Sequence, residues 1–195
     1  EFNLFESFKL SSAEYADIIR EHAKFVASDI YPTRQTSDEE GVSLKDGIVT
    51  TPKSLKAPHK AYYENGWFAL GLPEEIGGTP VPELIHFACI SMITGANAAW
   101  SMYPSLTKGV LNVLRMKASD ELKNRYIPSI VEGRWGGSMC LTEPGAGSDV
   151  GAARTTAQKI NDKEYHIKGV KIFISSGEND LYENIIHLVL ARLPG

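Results

Sequence analysis

The chain changes its periodicity once, near Arg134, and that change constrains the fold more than any other feature. Before it, apolar residues recur at helical steps. Tyr15, Ile18, Ile19, His22, Val26 and Ile30 mark one helix face at three- and four-residue intervals. Ser11-Ser12-Ala13-Glu14 precedes that face with the Ser-x-x-Glu pattern of a capping box, and Pro32 ends it. After Arg134 the segments WGGSMCLT, ARTTAQKI, EYHIKGVKIFIS and NIIHLVLARL are rich in Thr, Ile, Val, Tyr and Phe. Asn161-Asp162 and Ser176-Gly177 separate them, so they read as strands joined by hairpins. A run of helices followed by a run of strands predicts an α+β chain, not an alternating βαβ sheet. The expected organisation is an all-α domain over residues 1–134 and an antiparallel β domain, an incomplete barrel, over 135–195.

Within the helical part, residues 33–55 are polar and turn-rich, with a short β excursion around Asp46-Gly47. A short helix is expected from Pro58 to Asn65, with Gly66 as its left-handed stop. The run ELIHFACISMITGANAAWSMY is apolar nearly all round, which predicts a helix buried on most sides. SLTKGVLNVLRMKA gives a further helix, with Leu106, Val110, Val113 and Leu114 on one stripe. Ser119 caps the next, Asp120 and Glu121 suit its first turn, Pro128 should kink or break it, and Gly133 closes it.

Charge and cysteines narrow the class of partner. The net charge is −4 over 195 residues, which argues against nucleic acid or an anionic membrane as main partner. No apolar run approaches the roughly 20 residues that span a bilayer. Cys89 and Cys140 stand alone among apolar residues, as reduced thiols of a cytoplasmic protein do. The five histidines have no metal spacing, and His86 and His187 lie in apolar runs as core residues do. The chain starts without methionine and stops after its most apolar strand-like run, which points to a piece of a longer protein.

The stretch GGSMCLTEPGAGSDVGAA, residues 136–153, carries the chemistry. It is not a P-loop, because no Lys follows Gly151. It is not a dinucleotide fingerprint either: its glycine spacing is one residue too long, and a Thr-rich, strand-like segment follows in place of a helix. Two readings remain for Gly145 and Gly147: a strained turn needing positive φ, or a close approach of bare backbone to a ligand. Asp149 either caps the turn through an Asx bond or faces that ligand.

LTEPGAGSDVGAARTTA, followed some twenty residues later by GVKIFISSGE, resembles the acyl-CoA dehydrogenase superfamily. There a T-E-P-x-x-G-S-D segment and a K-x-[WF]-I-[TS]-x-G segment lie on neighbouring strands of the middle β domain. ENGWFALGLPEEIGG and the crossing LKNRYIPSIVEGRWGG are similar to family segments as well. The long linker before DGIVTTPKSLK and the end SSGENDLYENIIHLVLARLPG are most similar to the larger members, some of which act on 3-(methylthio)propanoyl-CoA.

The resemblance implies FAD as cofactor and dehydrogenation of an acyl-CoA to the trans-2-enoyl-CoA, with hydride transfer to flavin N5. It also implies electron-transferring flavoprotein as acceptor and a homo-oligomer. Met139, Cys140, Leu141 and Thr142 map to a strand beside the flavin ring, with the Leu141 N–H and the Thr142 hydroxyl as donors to its rim. Gly147 maps to the cofactor loop, and Ser148 to a contact shared by cofactor and substrate. Phe173, Ile174 and Ser175 map to the second flavin-contacting strand, where Phe and Ser replace the usual Trp and Thr. Glu143 maps to a loop anchor, not a base. The family's catalytic glutamate and C-terminal helical bundle match nothing in this chain, so no catalytic residue is assigned. Glu74, Glu75, Glu132 and Glu178 read as solvated charges. Two alternatives stay open: a flavin-binding member without dehydrogenase activity, and a flavin oxidase or monooxygenase on the same fold.

Overall fold

The computed structural model describes residues 10–194. Helix α1, Ser12–Phe25, opens with the expected capping box: the Ser11 hydroxyl accepts the Glu14 N–H while the Glu14 carboxylate takes the Ser11 N–H at 2.7 Å. One π turn, Val26–Ile30, carries the helix to Pro32, where α2, Thr33–Glu40, begins. That helix lies in the stretch expected to be turn. Its propensity is poor, but Thr33 and Ser37 are buried and receive the Asn97 side-chain amide at 2.9 and 3.3 Å, so tertiary contact overrides local preference. The excursion around Asp46-Gly47 is a hairpin of β1, Ser43–Lys45, and β2, Ile48–Thr50. Helix α3, Lys56–Glu64, ends before Gly66, whose φ of 75° is the expected left-handed stop.

The apolar run after Pro82 is two helices. α4, Glu83–Ala96, stops at Asn97, whose side chain accepts the Trp100 N–H at 2.9 Å and starts α5, Ala98–Lys117. An N-cap inside an apolar run is easily passed over, because a single Asn must outweigh the helix formers on either side. Nor is α4 buried on most sides, since Leu84 and Phe87 are exposed. α5 absorbs the further helix expected from Ser105 and runs through Pro104. α6, Asp120–Val131, begins at the Ser119 cap and continues past Pro128. Each proline costs a backbone bond, yet Trp100, Val110 and Leu111 of α5 and Ile130 of α6 are wholly buried and their burial outweighs it.

Two more two-stranded sheets follow. β3, Trp135–Cys140, pairs with β6, Asn184–Val189, in parallel, with Cys140 opposite Val189. β4, Thr156–Lys159, and β5, Tyr165–Lys168, form an antiparallel hairpin. The expected all-antiparallel β region is therefore corrected. The α+β class holds, no barrel closes among the described residues, and the central pair is parallel because a long crossover separates its strands. Residues 169–175, expected as a continuous strand, form none. They make one ladder-like bond, Ile172 N–H to Thr142 O at 2.9 Å, and Phe173 and Ser176 sit at φ 57°, off the extended region.

One core spans the helices and β3. Ile30, Trp100, Val110, Leu111 and Ile130 are fully buried, and Trp135, Met139, Ile186 and Leu188 pack against them. Gly137 explains how close β3 comes to α5: a Cβ there would lie 2.7 Å from Val110. No helix among the described residues is long and apolar enough to cross a membrane.

Candidate functional site

β3 has one paired edge and one open edge. The Leu190 N–H donates to Cys140 O, so even-numbered residues of β3 face β6 and odd-numbered ones face away. On the open edge the Gly137 N–H is taken by Thr107 Oγ1 at 3.0 Å. Farther along, Leu141 O accepts the Lys171 ammonium at 2.9 Å. Among the described residues, the Leu141 N–H, the Thr142 N–H and the Thr142 hydroxyl have no protein acceptor. The strand therefore ends in a short row of unused donors on half-buried backbone.

The loop beyond is held by Glu143, which is 7% exposed. Its carboxylate accepts the Arg154 N–H at 2.6 Å, the Thr155 N–H at 2.9 Å and the Lys171 ammonium at 2.8 Å. The Arg154 amide first, then Lys171 and Thr155, hold this carboxyl well below the usual carboxylate range. Glu143 and Ala146 exchange backbone bonds of 2.9 and 3.1 Å, which closes a tight turn over Pro144-Gly145. Glu143 is thus the anchor the sequence suggested, and it is the only buried carboxylate among the described residues.

The glycine readings separate. Gly145 and Gly147 are absent from the positive-φ residues, so the strained-turn reading is overturned at both. A Cβ on either would meet nothing within 4 Å, so the bare backbone faces open space. Beside the turn, Glu143, Gly145, Arg154, Thr155 and Gly169 line a cavity of about 320 Å³. Gly147 and Ser148 are exposed on the crest, and Ser148 makes no hydrogen bond to a described residue. Asp149 precedes a 3-10 turn, Val150–Ala152, and does not cap it with its side chain.

The structure brings Leu141 and Thr142 together with residues 171–172 through Lys171 and Ile172. Phe173, next along, is 88% exposed at φ 57°, and Ile174 begins a turn in which Ile174 O accepts the Gly177 N–H at 3.0 Å. Ser175 is exposed, so these three lie on a turn beside β3, not on a paired strand. Met139 is half-buried against the core, and Cys140 is buried with its carbonyl taken by the Leu190 N–H. His187, expected in the core, is exposed on β6, with Nδ1 2.6 Å from the buried Ser138 hydroxyl.

Sequence reasoning missed Lys171 and Thr107. A lysine within the apolar GVKIFIS is a usable signal, because a charge there must find a partner. Lys108 was missed as well: it donates to Leu70 O at 2.6 Å and lies 2.8 Å from His86 Nε2, and burial pushes its pKa down to about 8. No group of His, Cys, Asp and Glu among the described residues could hold a metal.

The donor row fits a planar ligand with acceptors along its rim. Two N–H groups and a hydroxyl at the strand end are left without a protein acceptor among the described residues, an exposed aromatic stands beside them, and the glycines leave room for a large group. Known protein families match both parts of the chain. The acyl-CoA dehydrogenase N-terminal domain model matches residues 12–134, and the acyl-CoA dehydrogenase middle domain model matches residues 138–193. The 3-methylmercaptopropionyl-CoA dehydrogenase of Ruegeria pomeroyi is 39% identical over 90% of this chain and 30% of that protein. The broad-specificity linear acyl-CoA dehydrogenase FadE5 of Mycobacterium tuberculosis is 37% identical over 100% of this chain and 34% of that protein. Among solved structures, the butyryl-CoA dehydrogenase of Megasphaera elsdenii superposes with a TM-score of 0.70 at 22% identity, over 87% of this chain and 42% of that one. An acyl-CoA dehydrogenase complexed with FAD from Bacillus anthracis gives 0.74 at 22%, over 94% and 29%. The chain spans about a third of the length of the curated relatives it matches.

Proposed function

The chain belongs to the acyl-CoA dehydrogenase family, and we propose that it supplies the helical domain, residues 1–134, and part of the flavin-binding β domain, residues 135–195, of an FAD-dependent acyl-CoA dehydrogenase. The observation that carries this reading is the row of unused donors at Leu141 and Thr142, beside the exposed Phe173. Bound FAD would accept the hydride that leaves the β carbon of the acyl group. The Leu141 N–H and the Thr142 hydroxyl would hold the ring's acceptor rim, where negative charge grows on reduction. Phe173 would cover an apolar part of the ring, and Gly147 and Ser148 would lie against the phosphates.

Among the described residues we assign none as the base that removes the α proton. Glu143 is tied to three donors and held ionised, so it is an anchor. The proton-abstracting carboxylate is assigned to a part of the protein outside these residues. A cavity of about 820 Å³ beside the first turn of α5, lined by Tyr31, Asn97, Ala99 and Tyr103 among others, is the space proposed for the acyl group. The substrate proposed first is 3-(methylthio)propanoyl-CoA, ahead of straight-chain acyl-CoAs, because the relative acting on 3-methylmercaptopropionyl-CoA is 39% identical. Electron-transferring flavoprotein is the proposed acceptor and a homo-oligomer the proposed assembly.

The test is anaerobic titration of the full-length, FAD-loaded protein with acyl-CoAs from butyryl to palmitoyl and with 3-(methylthio)propanoyl-CoA. Bleaching of the flavin band by at least one supports the reading. Binding of FAD with no bleaching by any of them refutes dehydrogenation. Oxygen consumption without another acceptor would reassign the chemistry to an oxidase.

A further inference from the structure

Lys171 makes a contact that satisfying Glu143 does not require. The two form an ion pair at 2.8 Å, with side chains 10% and 7% exposed. A buried pair gives back much of its attraction in desolvation, so stability alone is a weak reason to keep one. Glu143 already accepts the Arg154 and Thr155 N–H groups, and the ammonium balances its charge. Lys171 nevertheless donates a second bond, to Leu141 O at 2.9 Å, and the next N–H, that of Ile172, goes to Thr142 O at 2.9 Å. Two successive carbonyls at the end of β3 are thus taken by two successive residues of the neighbouring segment.

Amide resonance links the carbonyl and the N–H of one peptide unit. A cation at the carbonyl oxygen draws density from the nitrogen and makes its N–H a stronger donor, and hydrogen bonds in a chain polarise one another in this way. The N–H that shares a peptide unit with the Leu141 carbonyl is that of Thr142, which has no acceptor among the described residues. We propose that Lys171 is a positioning residue which, through the Leu141 carbonyl, aims and strengthens the Thr142 N–H toward the acceptor rim of the flavin and so raises its reduction potential. Glu143 fixes the ammonium where it can do this. The inference rests on the flavin reading of the site and adds to it a residue that acts without touching the ring.

The test uses the full-length protein with Lys171→Met, Lys171→Arg and the double variant Glu143→Gln/Lys171→Met. The double variant removes both charges and keeps the comparison available where the single one misfolds. Two quantities are read. The first is the midpoint potential of bound FAD. The second is the Thr142 amide proton resonance, isolated by labelling leucine carbonyls with carbon-13 and threonine nitrogens with nitrogen-15. This chain has two Leu–Thr pairs; loss of a signal in Thr142→Ser identifies the Thr142 resonance in the full-length protein, and Leu106–Thr107, identified likewise with Thr107→Ser, serves as the internal control.

Without the ammonium, the reduced-to-oxidised ratio at a fixed potential should fall about tenfold, a shift of about 30 mV to more negative values. The Thr142 resonance should move upfield while that of Thr107 stays, and Lys171→Arg should recover most of both. A purely structural role for the ion pair moves neither quantity in a folded double variant. A ratio within twofold of wild type, or an unmoved Thr142 resonance, overturns the proposal. If the wild-type protein binds no FAD, the flavin reading fails separately. The amide resonance then decides alone: unmoved, the polarising contact is wrong; moved, it acts on a different ligand.

Discussion

Thr107→Val isolates one hydroxyl that ties the helices to the site strand. Thr107 is wholly buried, and its Oγ1 accepts the Gly137 N–H at 3.0 Å, lies 3.2 Å from the Tyr182 hydroxyl and donates to Tyr103 O at 2.8 Å. Valine has the same shape, so no cavity opens and the change removes hydrogen bonding alone. Tyr103 O keeps the backbone N–H it accepts within α5. The Tyr182 hydroxyl keeps Tyr63 at 2.9 Å. Gly137 N–H keeps nothing: it is buried on the strand edge away from β6, against Val110. Leaving one buried donor unmet costs about 1–3 kcal/mol. With a urea slope of about 2 kcal/mol/M, a loss of about 2 kcal/mol moves the unfolding midpoint down by about 1 M. Thr107→Ser keeps the oxygen and loses one methyl, about 0.8 kcal/mol. The expected order of stability is wild type, then serine, then valine. Valine within about 0.5 kcal/mol of wild type, or serine less stable than valine, would refute the claim that this bond carries the joint.

Three further outcomes are expected. Asn97→Ala removes the α5 cap and both side-chain bonds to α2, and thermal unfolding should show about 1–3 kcal/mol lost. Burial lowers the pKa of His22 to about 4 and of His59, with help from Lys56, to about 3. Both are neutral in the folded chain and take up protons on unfolding below pH 6.5, so their stabilisation is intact above that pH and fades as pH falls toward those values. By pH 4 each should cost about 3 kcal/mol, and denaturation of His59→Phe across pH 7 to 4 should show a shallower decline than wild type. Phe173→Ala should leave stability within about 0.5 kcal/mol, because the ring is 88% exposed, yet weaken FAD binding to the full-length protein about tenfold by titration. Unchanged FAD affinity would remove Phe173 from the site.

The parts of the fold that could be read from the sequence are those set by neighbours in the chain. The Ser11 capping box, the turn at Asp46-Gly47, the Gly66 stop and the Ser119 cap need only a few residues each, and all four stand in the structure. The misread parts depend on distant contacts. Helix α2 forms although its residues are poor helix formers, because Asn97, about sixty residues away, bonds its buried hydroxyls. Pro104 and Pro128 stay inside their helices because the side chains around them are buried against other elements. The direction of β6 relative to β3 is not written in either strand, since a strand's own pattern is the same for parallel and antiparallel partners.

That last misreading bears directly on the site. An antiparallel sheet with residues 169–175 laddered against β3 would have spent its open-edge donors on a neighbouring strand. Instead β6 takes one edge in parallel, and the 171–172 segment takes two carbonyls and no N–H. Residues 173–177 then turn away through two left-handed residues, which puts Phe173 in the open beside the strand. The asymmetry follows from what each segment can offer. A lysine ammonium and a backbone N–H are donors, so they can consume acceptors only. The acceptors of the strand end are used up and its donors remain, which is the polarity needed by a ligand whose rim carries acceptors and gains negative charge. The same logic explains why a carboxylate sits behind the strand and not at its edge. At the edge, Glu143 would take the free N–H groups for itself; three residues' worth of other donors keep it occupied behind the loop.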